Sequence, residues 1–229
     1  MTAGSSVPFE PKATAVLAVD VGGSHVKLLV NGESERRRFV SGKKLTAAQM
    51  VEGVLEQAVD LDYAVVSVGI PAPVVGGRVA HEPVNLGKGW AAFDYEAAFG
   101  KPTKVVNDAA MQALGGYTGG RMLFLGLGTG LGSTMIVDGI LEPMELSHLP
   151  FRKATFEDYV GERGRDRLGE KRWRKAVLET IDRLVAALEP EYVVLGGGNA
   201  KRVGELPAIC RLGANEDAFL GGFRLWVDA

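Results

Sequence analysis

The stretch TAVLAVDVGGSHVKLLVNG, residues 14–32, contains two short apolar runs separated by a polar loop that carries two glycines. The runs 14–19 and 26–30 each predict a buried strand, and Asn31-Gly32 after the second run is a strong signal for a hairpin turn. Glycine lets backbone N–H groups approach an anion without a Cβ in the way. The stretch therefore predicts a hairpin whose tip, Asp20 to Ser24, can face a phosphate.

A related arrangement returns in the second half of the chain. A predicted strand over 122–125 leads into Gly126-Leu-Gly-Thr-Gly-Leu-Gly132, and a second strand over 133–137 ends in the turn Asp138-Gly139. A third glycine-bearing loop, Gly196 to Asn199, follows a predicted strand over 192–195. The repeat predicts two α/β halves with phosphate-contacting loops on either side of a cleft. The alternative is that each set of glycines only bends a turn.

Strands and helices alternate over the remaining sequence. Apolar residues at helical spacing predict a helix over 46–59, which Thr46 and Gln49 begin with a capping box. Short strands over 63–68 and 103–106 feed polar loops, and an apolar stripe over 173–188 predicts a long helix. We predict an N-terminal α/β domain over 1–107 and a larger C-terminal α/β domain over 108–229, with the C-terminal helix packing back on the first.

Composition excludes several classes of protein. Of the 229 residues 46% are apolar, which is enough for ordinary cores, and 26 Lys and Arg balance 28 Asp and Glu, so no nucleic-acid partner is indicated. Cys210 is the only cysteine, which excludes an intramolecular disulfide framework and a zinc site built on several thiolates. Residues 1–12 contain no apolar segment typical of a signal peptide, and no 18-residue apolar run occurs later. We expect a cytoplasmic protein without a membrane partner.

Asp20 ends a predicted buried strand directly before two glycines. A carboxylate there can hold a hydrated Mg²⁺, because Mg²⁺ keeps most of its waters and is bound through few protein carboxylates. The alternative interpretation is an aspartate that caps the turn. Ser24 and Lys27 could add a hydrogen bond and a charge to a phosphate, although Lys27 fits a solvated strand position equally well. None of the loops has the Gly-Lys-[Ser/Thr] of a P-loop or the dinucleotide-binding fingerprint.

Asn107 and Asp108 follow the predicted strand over 103–106, so an amide and a carboxylate project from one strand end. In phosphoryl transfer the protein mainly positions and neutralises charge, while an aspartate accepts the proton of the attacking hydroxyl. Both residue types are also favoured N-caps, so the alternative is that they cap a helix over 109–115. Position alone favours the capping interpretation.

Several motifs together resemble a known superfamily. Asp20-Val-Gly-Gly-Ser-His-Val-Lys27, Leu127-Gly-Thr-Gly-Leu-Gly-Ser133 and Leu195-Gly-Gly-Gly-Asn-Ala-Lys201 resemble the phosphate-1, phosphate-2 and adenosine motifs of the actin/hexokinase/Hsp70 superfamily. Val105-Val-Asn-Asp-Ala109 and Glu145-Leu-Ser-His148 resemble the sugar-site motifs of its ROK family, named for repressors, open reading frames and kinases. Asn85-Leu-Gly-Lys-Gly-Trp90 and the missing thiolates make polyphosphate glucokinases of bacteria the most similar members. The motifs run in order from Asp20 to the 214–229 tail.

The resemblance implies an actin-like fold of the ribonuclease H-like type, with two α/β domains around an interdomain cleft. It implies a kinase that transfers a phosphoryl group from ATP or polyphosphate to the 6-hydroxyl of a hexose such as glucose, with Mg²⁺ bound near Asp20 through water. Asp108 would be the base. The implied sugar contacts are Asn85, Asn107, Glu145, His148 and Glu157, and the implied phosphate and nucleotide contacts are Gly22, Gly23, Ser24, Lys27, Gly128, Thr129, Gly130, Gly197, Gly198 and Asn199.

The chain departs from the family pattern in its sugar loops. Ser147 replaces the usual Gly of the Glu-x-Gly-His motif, and the cysteine-rich zinc segment between His148 and Glu157 is absent, so we expect no zinc. His148 is therefore interpreted as a sugar contact only. These changes leave open another hexose or an N-acetylated amino sugar as acceptor. A sugar-sensing regulator is a further alternative, although the residues before the first strand contain no pair of basic helices for DNA binding. Another alternative is a filament-forming or non-catalytic actin-like protein.

Seven positive residues cluster against two acidic ones between Arg163 and Lys175. They could guide polyphosphate by point-charge and bidentate contacts. A solvated helix face is the more common meaning of such a run. The family resemblance also implies a homodimer, for which no interface can be identified from the residues.

Overall fold

The computed structural model describes residues 14–214 and 216–227. The expectations of no signal peptide and no DNA-binding helix pair concern residues 1–13, which lie outside the described residues, as do positions 215, 228 and 229 of the matched tail. No helix within the described ranges is long and apolar enough to cross a membrane.

The first half of the chain forms a five-stranded sheet. Its strands and helices are β1 (Val16–Val21), β2 (His25–Val30), β3 (Arg37–Val40), α1 (Ala47–Gln57), β4 (Val65–Ile70), β5 (Val74–Val75), β6 (Arg78–Val79), α2 (Tyr95–Phe99) and β7 (Thr103–Asn107). The strand order is β3-β2-β1-β4-β7, in which β1, β2 and β3 are antiparallel and β4 and β7 run parallel to β1. Strands β5 and β6 form a separate small hairpin.

The second half forms another five-stranded sheet. Its elements are α3 (Asp108–Gly116), β8 (Arg121–Leu127), β9 (Leu131–Val137), β10 (Ile140–Met144), β11 (Pro150–Phe151), β12 (Ala154–Thr155), α4 (Phe156–Val160), α5 (Glu162–Leu168), α6 (Glu170–Leu188), β13 (Tyr192–Gly196), β14 (Cys210–Leu212) and α7 (Asp217–Arg224). Two single 3-10 turns lie at Leu146–His148 and Ala200–Val203. The strand order is β10-β9-β8-β13-β14.

The two large sheets have the same topology. In each, a hairpin supplies the first two strands, a third antiparallel strand lies at one edge, and later strands join the other side in parallel. The repeated hairpin was predicted, but the edge strands β3 and β10 were not. Both lie at an edge, where strong hydrophobic alternation is not required, and Pro143 within β10 is tolerated because an edge N–H need not enter the ladder.

Local signals account for several element ends. The Thr46 side chain accepts from the Gln49 N–H and the Gln49 side chain from the Thr46 N–H, which confirms the predicted capping box of α1. Asp138 and Gly139 have φ of 50° and 84°, the positive values that a tight hairpin turn between β9 and β10 requires.

The turn predicted at Asn31-Gly32 is confirmed: it follows β2 and leads toward the antiparallel strand β3, with the Glu33 N–H donating to the Val30 carbonyl at 3.1 Å and φ of +89° at Gly32. The Asn31 side chain also accepts from the Val16 N–H at 2.7 Å, which ties the end of β2 to the start of β1.

Each sheet packs against its own buried cluster. The first cluster includes Leu17, Val68 and Trp90, and the second includes Leu123, Trp173 and Leu195, all with essentially no exposed surface. Helices α1 and α6 cover these clusters with their apolar faces. Each half therefore buries enough apolar surface to hold its own sheet.

Helix α7 lies against both halves. Gly222 packs on Ala18 of β1 and on Ser67 of β4, and the Ser67 hydroxyl donates to the Gly222 carbonyl at 2.6 Å. On its other side α7 crosses α3 so closely that a methyl group on Gly221 would overlap the Met111 carbonyl oxygen. Helix α7 thus holds α3 against the first sheet by backbone contact.

We predict that Gly221→Ala destabilises the fold. Alanine favours a helix by about 1 kcal/mol over glycine, but forcing the two backbones apart costs about 3 kcal/mol or more, so the steric term wins. The free energy of unfolding, measured by urea denaturation, should fall by about 2 kcal/mol or more. Leu220→Ala, which changes a side chain on the more exposed face of α7, is the control and should cost much less. An unchanged or higher urea midpoint for Gly221→Ala would contradict the packing described.

Candidate active site

Asn107 ends β7 and caps α3. Its side-chain oxygen accepts from the N–H groups of Ala109 at 3.0 Å and Ala110 at 3.2 Å, and its side-chain nitrogen donates to the Ala72 carbonyl at 3.1 Å. The capping interpretation therefore describes the contacts of Asn107. Because Asn107 is the N-cap of α3, Asp108 is the first residue of the helix and lies at the positive end of its dipole.

Asp108 is partly buried, and its carboxylate accepts from the Ala109 N–H at 2.8 Å. Burial chiefly, then the nearby charge of Asp20 and to a smaller degree that of Glu145, raise the pKa of Asp108 to about 6, and backbone hydrogen bonds oppose this rise. A carboxylate with this pKa is ionised at neutral pH yet still basic enough to accept a proton. Asp20 and, more weakly, Glu145 are therefore close enough to Asp108 for their charges to act on it.

Asp20 lies near the end of β1 and forms an ion pair with Lys27 of β2, with Nζ and Oδ2 3.1 Å apart. The first glycine turn follows directly. The Gly22 carbonyl accepts from the Ser41 hydroxyl at 2.5 Å and the Ser24 carbonyl from the Ser41 N–H at 3.0 Å. Gly23 and Ser24 are exposed, and within the described ranges their N–H groups have no acceptor in the protein. They remain available to an anion.

The second glycine turn, residues 128–130, joins β8 to β9. The Glu162 N–H donates to the carbonyls of Gly128 and Thr129 at 3.1 and 3.2 Å, which fixes the turn from the side of α5. Gly132 packs on Ala109, so the turn lies beside the start of α3. The second turn and Asp108 are thereby placed next to each other.

The third glycine turn packs directly on the second. Gly197 has φ of +81°, and a side chain there would run into the backbone of Leu127. The Asn199 side chain donates to the Gly128 carbonyl at 3.3 Å and accepts from the Arg165 guanidinium. The Asn199 side chain is therefore held within the protein, while Gly198 is exposed, with open space where a Cβ would lie.

The sugar-side residues lie on three different segments. Glu145 and His148, 4.0 Å apart, are both exposed on the segment after β10. Glu157 of α4 lies against Gly130 of the second glycine turn and pairs with Arg163 at 3.4 Å. Asn85 lies beside Gly23, with a methyl group on Gly23 placed 3.8 Å from the Asn85 Cβ. The charge of Glu145 acts on Asp108, and His148 lies beside Glu145.

Ser133 is a positioning residue that the sequence did not indicate beyond its place in a motif. Its hydroxyl donates to the Met144 carbonyl at 2.8 Å and accepts from the Leu146 N–H at 3.2 Å, so it holds both neighbours of Glu145. Ser147, the residue at the usual glycine position, is buried. A serine within a strand such as β9 gives no signal for such a bridge, because the partners become adjacent only in the folded chain.

Four of the seven basic residues between Arg163 and Lys175 contact other groups of the protein. Arg163 pairs with Glu157, Arg165 with Asn199, Arg167 donates to the Asp158 carbonyl at 2.6 Å, and Arg174 pairs with Glu170 at 3.3 Å. Across the described part of the chain, no ion pair is found for Lys171, Arg172 or Lys175.

The donor set near Asp108 fits Mg²⁺. Among residues 14–214 and 216–227, no three His, Cys, Asp or Glu side chains converge on one point. Mg²⁺ needs no such cage, because it keeps several waters and takes one or two carboxylates together with substrate phosphates. The charge of Asp20 raises the Asp108 pKa, so the two carboxylates repel each other when both are ionised. A cation bound near them would be stabilised.

No protein-family model matches the chain, and no curated protein matches it in sequence. Solved structures do match. The inorganic polyphosphate/ATP-glucomannokinase from Arthrobacter sp. strain KM superposes with a TM-score of 0.79 at 25% identity, covering 93% of this chain and 98% of that one. The ROK-family glucokinase from Streptomyces griseus, in complex with glucose and AMPPNP, gives a TM-score of 0.75 at 15% identity, covering 92% and 98%.

A ROK-family transcriptional regulator, a homologue of the E. coli MLC protein, also matches, with a TM-score of 0.73 at 15% identity, covering 93% of this chain and 77% of that one. These matches cover 92–93% of this chain and so include both of its five-stranded sheets. The actin-like α/β architecture predicted from the motifs is confirmed, and the chain has the fold of the ROK-family sugar kinases.

Proposed function

We propose that this protein is a sugar kinase that transfers a phosphoryl group from ATP or polyphosphate to the 6-hydroxyl of a hexose, with glucose as the acceptor. The observation that carries the proposal is the position of Asp108. This carboxylate has a pKa raised to about 6 and lies beside Asp20 and the second glycine turn. A base, a second carboxylate and free backbone donors are the groups that phosphoryl transfer to a hydroxyl requires.

In the proposed reaction Asp108 accepts the proton of the sugar hydroxyl as its oxygen attacks the terminal phosphorus. The bond from that phosphorus to the donor's bridging oxygen breaks, and the shortened donor leaves. The N–H groups of Gly23 and Ser24 on one side, and the 128–130 turn on the other, hold the phosphate oxygens. Asp20 would hold Mg²⁺ through water, and the bound ion would neutralise charge on the phosphates.

Hydroxyl groups that both donate and accept are best held by carboxylates, amides and imidazoles in fixed orientations. Glu145, His148 and Glu157 are the proposed contacts to the sugar, with Asn85 and Asn107 beside them. The bridge from Ser133 to both neighbours of Glu145 supports a fixed position for that carboxylate. Exposure of Glu145 and His148 leaves room for a ligand.

Two alternatives stay within the same fold. The acceptor could be another hexose or an N-acetylated amino sugar, because Ser147 alters the loop that would select it. The match to a ROK-family regulator favours, as the second candidate, a non-catalytic sugar-sensing protein. A coupled assay that crosses ATP and polyphosphate with a panel of hexoses separates these functions: sugar-dependent turnover supports the kinase, and sugar binding without turnover supports the sensor.

We predict that Asp108→Asn nearly abolishes transfer to the best sugar of that panel. Removing a positioned base is expected to lower kcat by roughly 10²–10⁴-fold, because the hydroxyl then loses its proton acceptor. Asp166→Asn, which changes an exposed aspartate on α5, is the control and should retain wild-type turnover. Retention of more than about one per cent of turnover by Asp108→Asn would remove Asp108 from the role of base.

The pH dependence should reflect the same group. Since the base acts only when ionised, kcat/KM should rise about tenfold per pH unit below pH 6 and level off above it, following the Asp108 pKa of about 6. The profile is measured from pH 5 to 8 with saturating Mg²⁺, and circular dichroism at each pH checks that the protein stays folded. A flat profile across this range, or a fall with rising pH, would be inconsistent with Asp108 as the base.

Asp108→Asn should also stabilise the protein at pH 7. The raised pKa means that the ionised form is disfavoured in the fold, so the wild type loses stability as pH rises from about 4 to 6 and remains penalised above. Asparagine removes the charge and can keep the hydrogen bond from Ala109, which should add about 1–3 kcal/mol to the free energy of unfolding at pH 7 and little at pH 4. Asp62→Asn, at an exposed position, is the control for urea denaturation at both pH values. Equal stability of Asp108→Asn and wild type at pH 7 would show that the carboxylate is not strained.

A further inference from the structure

Arg165 of α5 lies between the second and third glycine turns. Its side chain is 18% exposed, so most of it is shielded from water. One guanidinium nitrogen donates to the side-chain oxygen of Asn199 in the third turn. The other donates to the Glu162 carboxylate at 3.4 Å and to the Asp166 carboxylate at 3.3 Å. Arg165 therefore connects α5 to the third turn by a charge-assisted hydrogen bond.

The contact with Arg165 fixes the orientation of the Asn199 amide. Arginine carries only donors, so the amide oxygen has to face the guanidinium and the amide nitrogen faces away from it. That nitrogen donates to the Gly128 carbonyl of the second turn at 3.3 Å, and the Asn199 N–H donates to the Leu127 carbonyl at 2.9 Å. Asn199 is buried. A chain of hydrogen bonds thus runs from Arg165 through Asn199 to the second turn.

The start of α5 holds the second turn from another side. The Glu162 N–H donates to the Gly128 and Thr129 carbonyls at 3.1 and 3.2 Å. Gly161 packs so closely that a methyl group on it would lie 2.8 Å from the Thr129 carbonyl oxygen. Glu162 and Arg165 are about one helical turn apart on α5. This short helix therefore holds the second turn through its backbone and the third turn through Arg165, and so sets the spacing of the two turns.

Stability of the fold does not require a charge at this position. Removing a guanidinium from water costs free energy, and apolar side chains of similar volume often stabilise such positions equally well. The second sheet already packs on a cluster that includes Leu123, Trp173 and Leu195. An apolar side chain could not select one orientation of the Asn199 amide. The contacts of Arg165 therefore favour a role in arranging the turns.

We propose that Arg165 is a positioning residue that fixes the second and third glycine turns relative to each other through Asn199, and so sets the affinity for the phosphoryl donor. The inference rests on the proposed kinase function, in which the second turn holds phosphate oxygens and the third borders the nucleoside. Arg165 itself contacts neither substrate. Glu145 and His148, proposed to hold the sugar, lie on the segment after β10, with which Arg165 shares no hydrogen bond in the described part of the chain.

A comparison of donor and sugar affinity tests the proposal. The two KM values are measured at saturating Mg²⁺ with the best donor and sugar from the coupled assay. Arg165→Gln should raise the donor KM about tenfold, because the charge-assisted bond to Asn199 is lost, and should change the sugar KM less than about twofold. Arg165→Lys keeps the charge and should raise the donor KM less. The sugar KM also reports that each variant is folded. An equal rise in both KM values, or an unchanged donor KM, would overturn the proposal.

A double-mutant cycle shows whether Arg165 acts through Asn199. Asn199→Ala should by itself raise the donor KM about tenfold, since the bond to the Gly128 carbonyl is lost. Substitutions of independent residues add in free energy, whereas those of residues that share a contact do not. Arg165→Gln combined with Asn199→Ala should therefore raise the donor KM about tenfold, not about a hundredfold. A rise of about a hundredfold would mean that Arg165 affects the donor by another route, and the positioning role would be wrong.

Arg202→Gln is the matched control. Arg202 lies on the 3-10 turn Ala200–Val203 directly after the third glycine turn, is exposed, and pairs with Glu170 at 3.2 Å. Its removal changes net charge by the same amount and leaves the side-chain contacts between the two turns in place. The donor KM of Arg202→Gln should equal that of wild type. A rise like that of Arg165→Gln would indicate a general effect of positive charge near the donor and would refute the proposal.

Two further outcomes separate the role of Arg165 from the kinase function. If wild type phosphorylates a sugar and Arg165→Gln keeps the wild-type donor KM, the positioning role is wrong while the proposed kinase function stands. If no sugar is phosphorylated, the kinase function fails, and calorimetric titration with ATP and with tripolyphosphate in the presence of Mg²⁺ decides the role of Arg165. Binding about tenfold weaker in Arg165→Gln than in wild type and Arg202→Gln would support it. Equal binding by all three, or no binding by wild type, would refute it.

Discussion

The contact between α3 and α7 is the constraint on which the proposed site depends. Gly115 of α3 lies against the Asp217 backbone, and Gly221 of α7 lies against the Met111 backbone, so neither helix has space for a side chain at these points. Arg224 adds hydrogen bonds from one guanidinium nitrogen to the carbonyls at the end of α3, at 2.8–2.9 Å. Helix α3 is therefore held at its carboxyl end and along its length, which leaves its first residue, Asp108, at a defined place beside the first sheet.

This placement has an energetic consequence. Asp108 lies close enough to Asp20, in surroundings shielded from water, that its ionised form is disfavoured. A stable fold can retain such a group because the packing of α3 and α7 outweighs the unfavourable interaction. The repulsion between Asp20 and Asp108 lowers stability, raises the basicity of Asp108 and favours the binding of a cation near the two carboxylates. Stability and the proposed chemistry thus oppose each other at one carboxylate.

The repeated sheet supplies the other half of the arrangement. Each hairpin ends in a glycine turn whose carbonyls are held by neighbours: Ser41 for the first turn and Glu162 for the second. The N–H groups of Gly22 and Gly128 donate to the His25 and Gly130 carbonyls, whereas those of Gly23 and Ser24 have no acceptor in the described part of the chain. These two N–H groups give the first turn a preference for anions.

Much of this could be predicted from the chain alone, because strands, glycine turns and caps depend on residues close in sequence. The buried runs around Asp20, the capping box of α1 and the Asp138-Gly139 turn are of this kind. The edge strands β3 and β10, the bridge made by Ser133 and the occupation of Asn199 by Arg165 were not predictable, since their partners lie far apart in sequence or carry no periodic pattern. Sequence determined that Asp108 follows a strand and begins a helix. Only the tertiary structure decided that this carboxylate meets Asp20, because burial and charge depend on distances that packing sets.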